Sequence, residues 1–193
     1  MSTISESELQ GIVEKIVRQT LGERDVNYKN PSSTSERNEI QKPETHARAI
    51  ALGADHGGYS LKEILKSFLS KQGYHVDDCG THSMESVDYP DFALAVAKKV
   101  SDKDAWRGII IDGAGIGSCM VANKVSGVRA AMCYDAATAL NSREHNDANV
   151  LTLGGGMIDH TSALQITLTW LNTLFAGGRH ARRVDKIMQV ERK

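Results

Sequence analysis

The sequence predicts a three-layer α/β/α domain built on a doubly wound parallel sheet of about five strands, preceded by an N-terminal amphipathic helix and a linker. From residue 49 onward, short apolar runs alternate with segments of helical spacing, which is typical of a parallel sheet covered on both faces. Glycine-rich segments at 57–58 and 113–117 follow two of these runs, where a strand would pass into a helix. With 193 residues, 40% of them hydrophobic, the chain can bury one core of ordinary size.

The N-terminal segment, residues 1–22, is predicted to be an amphipathic helix. Residues 5–8 (Ser-Glu-Ser-Glu) have the pattern of a capping box, and Gly22 is a stop signal. Apolar side chains recur with helical spacing at Leu9, Ile12, Val13, Ile16, Val17 and Leu21. Residues 23–47 are polar and aperiodic, which predicts a flexible linker. The compact domain then occupies residues 48–193.

The elements of this domain can be placed in chain order. Strands are predicted at 49–54, 74–79, 107–111, 128–134 and 150–153, and helices at 59–72, 91–100, from the glycine loop to 124, at about 135–145, 161–175 and 179–191. In such sheets, ligands bind beyond the carboxyl ends of the strands, where the winding direction changes. Asp55, His56 and the loop at 112–118 follow strands, so we expect them at that edge.

Composition excludes several classes of protein. The formal net charge of −1 gives no reason to expect broad binding to nucleic acid or membranes. No apolar run approaches the roughly 18 residues of a membrane span, and the N-terminus lacks the pattern of a secretory signal. Three scattered cysteines, Cys79, Cys119 and Cys133, suit a reducing compartment. We therefore expect a cytoplasmic protein.

The glycine loop is the first candidate for chemistry. Successive backbone N–H groups around Gly113, Gly115 and Gly117 could form an anion-binding nest at a helix N-terminus. The alternative is a tight turn with only a structural role. A dinucleotide-binding motif fits poorly, because it requires glycine where Ser118 stands and because Asp112 would repel a pyrophosphate.

Three further motifs are each ambiguous when taken alone. Asp55 and His56 could line a site, or could be a helix cap and a surface histidine. His145 could be a catalyst or could interact with the dipole at a helix C-terminus. Arg179, His180 and Arg183 are spaced to share a helix face, which suits a phosphate or a solvated basic surface.

Together these motifs resemble the ribose-5-phosphate isomerase B and galactose-6-phosphate isomerase family. The resemblance runs from about residue 49 to 187 and rests on G-A-D-H-G-G-Y-S-L-K at 53–62, V-D-Y-P-D at 87–91, G-A-G-I-G at 113–117, A-N-K-V at 122–125, S-R-E-H-N-D-A-N-V at 142–150 and G-G-R-H-A-R-R-V at 177–184. It implies a Rossmann-like domain and a homodimer, or a tetramer, whose sites are completed by the partner chain. It also implies aldose–ketose isomerisation of a phosphorylated sugar through a cis-enediolate, with no metal and no cofactor.

The resemblance also implies roles for individual residues. Asp55 and His56 would contact sugar hydroxyls, and Tyr89 would line the pocket. The amides of Gly113, Gly115 and Gly117 would stabilise the enediolate. His145 would open the sugar ring, with Asn146 beside it. The phosphate ligands would be Arg179, His180 and Arg183.

Two positions depart from the family pattern. Many members have a cysteine base where this chain has Asp112, and another branch has a glutamate base where it has Ser118. We expect Asp112 to be the base, since partial desolvation strengthens a carboxylate in that role. Gly156 stands where the family often has a phosphate-binding arginine, so the substrate could be a tetrose or hexose phosphate instead of a pentose phosphate. A catalytically impaired protein that binds sugar phosphates, or serves in assembly, is the alternative from another class.

The predicted N-terminal helix resembles the encapsulation peptides of enzymes packaged in bacterial microcompartments. Its apolar stripe would favour docking into a groove of a shell protein. The alternatives are a helix that packs on its own core and one that lies on a membrane surface. The mixed charges of Glu14, Lys15 and Arg18 argue against the membrane. The expected location is therefore the cytoplasm, and within it the lumen of a microcompartment.

Overall fold

Five parallel strands form the sheet of this protein, whose computed structural model describes Gly11 and residues 49–191. The strands are β1 (Ala49–Ala54), β2 (His75–Asp78), β3 (Arg107–Asp112), β4 (Ala130–Met132) and β5 (Val150–Gly154). The helices are α1 (Tyr59–Lys71), α2 (Tyr89–Ser101), α3 (Ile116–Ala122), α4 (Ala136–Glu144), α5 (His160–Asn172) and α6 (Arg179–Val190). Apart from Gly11, the predicted helix at 1–22 and the predicted linker at 23–47 lie outside the described residues.

The strand order, β2-β1-β3-β5-β4, makes the sheet doubly wound. From β1 the chain adds β2 on one side and then crosses to add β3 on the other, so the winding direction changes between β1 and β3. Beyond β3 the sheet continues through β5 to β4 at the far edge. All pairings are parallel, which confirms the predicted fold class and places the switch point beside Asp55 and Asp112.

Burial on both faces explains why the central strands are continuous apolar runs. Every residue of β1 and β5 is buried, and α2 and α3 cover one face while α1, α4 and α5 cover the other. On the face of the sheet covered by α2, side chains of that helix pack against residues of β1, β3 and β5. The helix contributes Ala93, Val96, Ala97 and Val100, and the strands contribute Ala51, Ile110 and Val150. The outer strand β2 is only half-buried, as its more polar sequence (His-Val-Asp-Asp) requires.

The elements predicted between residues 49 and 191 all form, with shifts at their ends. Helix α2 begins at Tyr89 instead of residue 91, because Pro90 suits the first helical turn. Strand β4 spans three residues instead of the predicted seven at 128–134, because only Ala130–Met132 pair with β5, its one neighbour. Within the described residues, no helix is long and apolar enough to cross a membrane.

Candidate active site

Three loops converge at the carboxyl edge of the sheet, beside the switch point. They follow β1, β3 and β5. A Cβ atom on Gly57 would lie 3.2 Å from the Gly113 nitrogen, and one on Gly155 would lie 2.9 Å from the Gly57 carbonyl oxygen. Backbone therefore packs against backbone, and the predicted residues are held close together. We call Asp55, His56, Tyr89, Asp112 and the loop 113–117 the carboxyl-edge group.

Asp55 and His56 are both fixed by backbone N–H groups. The buried Asp55 carboxylate accepts a hydrogen bond from Gly58 N–H at 3.0 Å, just before α1 begins. His56 Nδ1 accepts from Val87 N–H at 3.2 Å. A ring nitrogen that accepts a hydrogen bond carries no proton, so the 3.9 Å contact between His56 Nδ1 and Asp55 is not an ion pair in this arrangement. The proton of His56 then lies on Nε2, where it can be donated to a ligand.

Asp112 is the most constrained residue of the carboxyl-edge group. Its side chain is 5% exposed and accepts three backbone hydrogen bonds. Oδ1 accepts from Ala114 N–H at 2.8 Å and from Gly115 N–H, and Oδ2 accepts from Ser118 N–H at 3.0 Å. A carboxylate has about four acceptor positions. One position on Oδ2 is therefore left to take a proton from a substrate.

These bonds divide the amides of the glycine loop into two sets. Those of Ala114 and Gly115 donate to Asp112, so they cannot also stabilise an enediolate. Those of Gly113, Ile116 and Gly117 have no acceptor among the described residues. They include the first two amides of α3, where the helix dipole favours an anion. The loop can thus hold both Asp112 and a developing negative charge.

Two glycines in this loop are required by their surroundings. Gly115 has φ +80°, and a Cβ on it would lie 2.9 Å from the Leu153 carbonyl carbon. A Cβ on Gly117 would lie 2.5 Å from the ring of Tyr89, whose side chain therefore covers this end of the loop. Tyr89 therefore lies against the glycine loop, and its role as a pocket residue stays a prediction.

A second group of predicted residues lies at the amino edge of the sheet, between the end of α4 and the start of α6. The His145 and His180 rings stack in parallel with 4.2 Å between centroids. Asn141 Nδ2 donates to His145 Nδ1 at 2.9 Å, and Arg179 Nε donates to His180 Nε2 at 3.4 Å. We call His145, Asn146, Arg179, His180 and Arg183 the amino-edge group.

The members of the amino-edge group differ in exposure. Arg179 and Arg183 are exposed on α6, whereas His180 is buried against His145 and faces away from solvent. Burial lowers the pKa of His180, and the charges of His145, Arg179 and Arg183 lower it further. His180 therefore favours its neutral form, and the two arginines are the groups free to bind an anion.

One chain does not bring these two groups together. Asp112 ends β3 at the carboxyl edge, whereas His145 precedes β5, whose first residue is Val150. At about 3.3 Å per residue, the five residues of β5 separate the two edges by at least about 13 Å. Both groups are assembled as local clusters, but at opposite ends of the strands.

The structure gives roles to residues for which the sequence predicted none. Val87 sets the tautomer of His56, and Asn141 holds His145. Ser118 donates its N–H to Asp112, and its fully buried hydroxyl has no hydrogen-bond partner among the described residues. Of these residues, only Asn141 could have been found from the sequence, because it lies one helical turn before His145. Among the described residues, no three His, Cys, Asp or Glu side chains are placed to hold a metal ion.

Comparison with known proteins identifies relatives of the whole described domain. The family model for Ribose/Galactose Isomerase matches residues 50–187. Ribose-5-phosphate isomerase B of Escherichia coli is 40% identical over 146 residues, which are 76% of this chain and 98% of that protein. The structure of the Clostridium thermocellum ribose-5-phosphate isomerase B is 53% identical, with a TM-score of 0.74, over 75% of this chain and 97% of that one.

A third relative carries a ligand. The Mycoplasma genitalium ribose-5-phosphate isomerase B, solved with bound ribulose 5-phosphate, is 41% identical with a TM-score of 0.72. The match covers 75% of this chain and 97% of that one. Each of these matches takes in nearly the whole length of the relative and about three quarters of this chain.

Proposed function

This chain belongs to the ribose/galactose isomerase family, and from that premise we propose that it interconverts an aldose phosphate and a ketose phosphate of the ribose 5-phosphate and ribulose 5-phosphate type. It is thus an intramolecular oxidoreductase. The observation that carries this proposal is the loop after β3, where a buried carboxylate with one free acceptor position adjoins three amides that have no acceptor within the described part of the chain. A bound ribulose 5-phosphate in the M. genitalium relative supports the substrate class.

The proposed reaction moves one proton between adjacent carbons. His145 opens the sugar ring, and Asp112 Oδ2 removes the proton from the carbon next to the carbonyl. The resulting cis-enediolate is stabilised by the free amides of Gly113, Ile116 and Gly117. Asp112 then returns the proton to the other carbon, and the hydroxyl proton of the enediolate moves to the oxygen that had been the carbonyl, which completes the new hydroxyl and the new carbonyl group. The route uses protein groups alone.

Substrate contacts complete this proposal. Arg179, Arg183 and the neutral His180 bind the phosphate, and Asn146 contacts the open sugar chain. Asp55 and the Nε2–H of His56 contact sugar hydroxyls, and Tyr89 closes the side of the pocket. Binding the remote phosphate orients the reacting carbons over Asp112, which lowers the barrier without taking part in the proton transfer.

We further propose that each site is shared across a homodimer. The separation of the two groups supports this, because within one chain His145 cannot reach a sugar held at Asp112. Exposed apolar side chains on and near α3 support it too. Ile116 is 48% exposed and Met120 64% exposed, and Met157 beside the same edge is 66% exposed. A partner that placed its amino-edge group over the carboxyl-edge group would cover them.

Mixed dimers test the shared site. One chain carries Asp112→Asn and the other Arg179→Ala, and the substrate concentration is kept well below the wild-type KM, where each homodimer is expected to turn over less substrate than the wild type. In the heterodimer one site has both defects and the other has none, so we expect about half of the wild-type turnover per heterodimer. No recovery in isolated heterodimers would mean that each site lies within one chain.

The identity of the sugar is tested by a substrate panel. We expect turnover of ribose 5-phosphate, and we compare it with tetrose and hexose phosphates, because Gly156 leaves the site without one arginine of the family pattern. If no phosphorylated sugar is turned over but several bind, the protein is a sugar-phosphate-binding member instead. The observation that favours a protein that only binds sugar phosphates is that the Asp112 carboxylate already accepts three backbone hydrogen bonds.

For residues 1–22 we propose a role in packaging. The apolar stripe at Leu9, Ile12, Val13, Ile16, Val17 and Leu21 would dock on a shell protein of a bacterial microcompartment. Residues 1–22 fused to a reporter should enter shells in a host that makes them. The same fusion with Ile12→Glu and Ile16→Glu should not, since charges would be desolvated in the docking groove. Equal uptake of both fusions would refute this role.

A further inference from the structure

A second basic site lies at the amino edge of the sheet, at the N-termini of β3 and β5. It is an open cavity of about 510 Å³. Its described lining contains three cationic side chains, Lys103, Arg107 and Arg129, and no carboxylate. The remaining lining is apolar, aromatic or neutral, and includes Trp106 and Asn149. Cavities of about 300–1,000 Å³ are typical of small-molecule sites.

Most of the neighbouring positive charge is already compensated. Arg129 donates to the Asp147 carbonyl at 2.9 Å and to Asp147 Oδ2 at 3.0 Å, and Arg143 donates to Asp147 Oδ1 at 2.7 Å. Asp147 adopts φ +48°, an uncommon value for a residue with a side chain, while its carboxylate bridges the two arginines. At the rim, the Glu191 carboxylate is held by Gly127 N–H at 3.0 Å.

Arg107 has no such partner. Its Nε atom is buried with no hydrogen-bond partner, and the one hydrogen bond of its side chain among the described residues is from Nη1 to the Ala148 carbonyl at 3.5 Å. The guanidinium lies 4.7 Å from the ring centroid of Trp106 and 5.5 Å from that of Trp170. Burial lowers the pKa of Arg107 to about 10, and the charges of Arg143 and Arg129 add to this while Asp147 opposes it. Arg107 therefore stays charged at neutral pH.

Arg107 is half-buried, and a cation that is partly removed from water without a counter-ion is unfavourable, so such groups in native proteins normally pair with an anion. The side chain of Lys103, which is exposed at the mouth of the cavity, makes no hydrogen bond or ion pair among the described residues. Asp102 and Asp104 flank it in the sequence but do not line the cavity. The cavity thus presents two uncompensated cations, one with the planar fork that matches tetrahedral oxyanions.

We propose that this cavity binds a small organic phosphate, with Arg107 as the principal ligand and Lys103 as the second. A phosphate monoester carries between one and two negative charges at neutral pH, so it matches two cations better than a single carboxylate does. The site is distinct from Arg179 and Arg183. Met188, which contacts Arg129, lies about 13 Å along helix α6 from Arg179 and about 7.5 Å from Arg183, so the two basic clusters occupy different turns of the helix.

Tryptophan fluorescence tests the proposal, because the chain has two tryptophans and both flank Arg107. The measurement uses the full chain with Arg179→Ala and Arg183→Ala, so that phosphate binding at the predicted catalytic cluster does not contribute. The probe is glycerol 3-phosphate at constant ionic strength, with calorimetry as a second readout and acetate as the carboxylate comparison. We expect a saturable change with glycerol 3-phosphate and at least tenfold weaker binding of acetate.

Substitutions then assign the site. Arg107→Met in the same background should weaken glycerol 3-phosphate binding at least tenfold, whereas Lys98→Met, at an exposed lysine on α2 outside the cavity, should not change it. If Arg107→Met does not fold, Lys103→Asn, which tolerates the φ of +67° at that residue, should weaken binding severalfold. Absence of saturable binding in the background protein, unchanged affinity in the folded cavity variants, or equal affinity for acetate would overturn the proposal.

Discussion

The carboxyl-edge and amino-edge groups are built by different means. At the carboxyl edge, backbone N–H groups hold the functional side chains: Gly58 holds Asp55, Val87 holds His56, and the glycine loop with Ser118 holds Asp112. At the amino edge, side chains on helices hold one another, through the stacked histidines and the Asn141 contact. The first group is therefore set by the fold itself, whereas the second depends on individual side chains that can be exchanged without refolding the loops.

The largest effect should come from Asp112→Asn, which removes the proposed base. Turnover should fall by about 10²–10⁴-fold, the usual contribution of a general base. Asparagine retains one oxygen for Ala114 and Gly115, but its NH₂ group would face Ser118 N–H, so thermal unfolding must confirm that the variant is folded. Asp104→Asn, at an exposed aspartate away from the site, is the matched control. Near-normal turnover of Asp112→Asn would exclude it as the base.

At the amino edge, replacing both Arg179 and Arg183 with Ala should chiefly weaken substrate binding. We expect KM for a phosphorylated sugar to rise at least about tenfold, because two charge-assisted contacts to phosphate are lost. Both side chains are exposed, so the thermal midpoint should change little. Binding of the unphosphorylated sugar should be nearly unaffected. Equal losses for both sugars would show that the arginines have a structural role.

A smaller effect should distinguish two glycines in the loop that forms the carboxyl-edge group. Gly115→Ala should lower the free energy of unfolding by about 1–3 kcal/mol, since it forces a positive φ and a close backbone contact. Gly113→Ala should change it by less than about 0.5 kcal/mol, because its Cβ meets no atom within 4 Å. Chemical denaturation of the two variants measures the contrast. Equal destabilisation would mean that the loop is not held as described.

The smallest effect should be a pH dependence of stability at the amino edge. The pKa of His180 is lowered in the folded protein, so the unfolded chain binds more protons once the pH falls below the ordinary histidine value of about 6.5. This contribution to stability is complete above that pH and is lost as pH falls through the folded pKa. Thermal midpoints at pH 7.5 and 5.5 should differ more for the wild type than for His180→Asn.

Two further points help to attribute this pH dependence of stability to His180. Asp135 and Asp159, whose pKa values are lowered by the backbone N–H groups of Thr138 and Ser162, titrate below this pH window. His82→Asn, at an exposed histidine, should behave like the wild type. If His180→Asn retains the full pH dependence, His180 is not its source.

The contrast between the two edges also explains what the sequence could predict. Strands β1, β3 and β5 are mostly apolar runs followed by glycine-rich segments, so the fold and the position of the carboxyl-edge loops followed from pattern alone. The length of β4 did not follow, because pairing with a single neighbour decides where an edge strand ends. Partner contacts such as Val87 with His56 could not be predicted either, since 31 residues separate the two.

For the candidate site, residue identity was easier to predict than residue role. The amides of Gly113 to Gly117 were expected to act together, but the direction in which the Asp112 carboxylate points commits two neighbouring amides to that side chain. Likewise, Arg179, His180 and Arg183 were expected to share one face, yet the histidine turns inward to stack on His145. Such choices depend on side-chain rotamers and local packing, which spacing in a sequence does not specify. The roles of these residues stay predictions.

The placement of the two groups at opposite edges has a consequence for how activity scales with protein concentration. Under the proposed shared site, a separated protomer keeps its sheet and its core but holds only half of each of two catalytic centres. Specific activity should then fall on dilution below the dissociation constant of the dimer, while secondary structure is retained. In a cell that makes little of this protein, most chains would be inactive monomers. The concentration of active dimer would then rise more steeply than the total concentration of the protein, so the rate of the reaction would depend on whether that total exceeds the dissociation constant of the dimer.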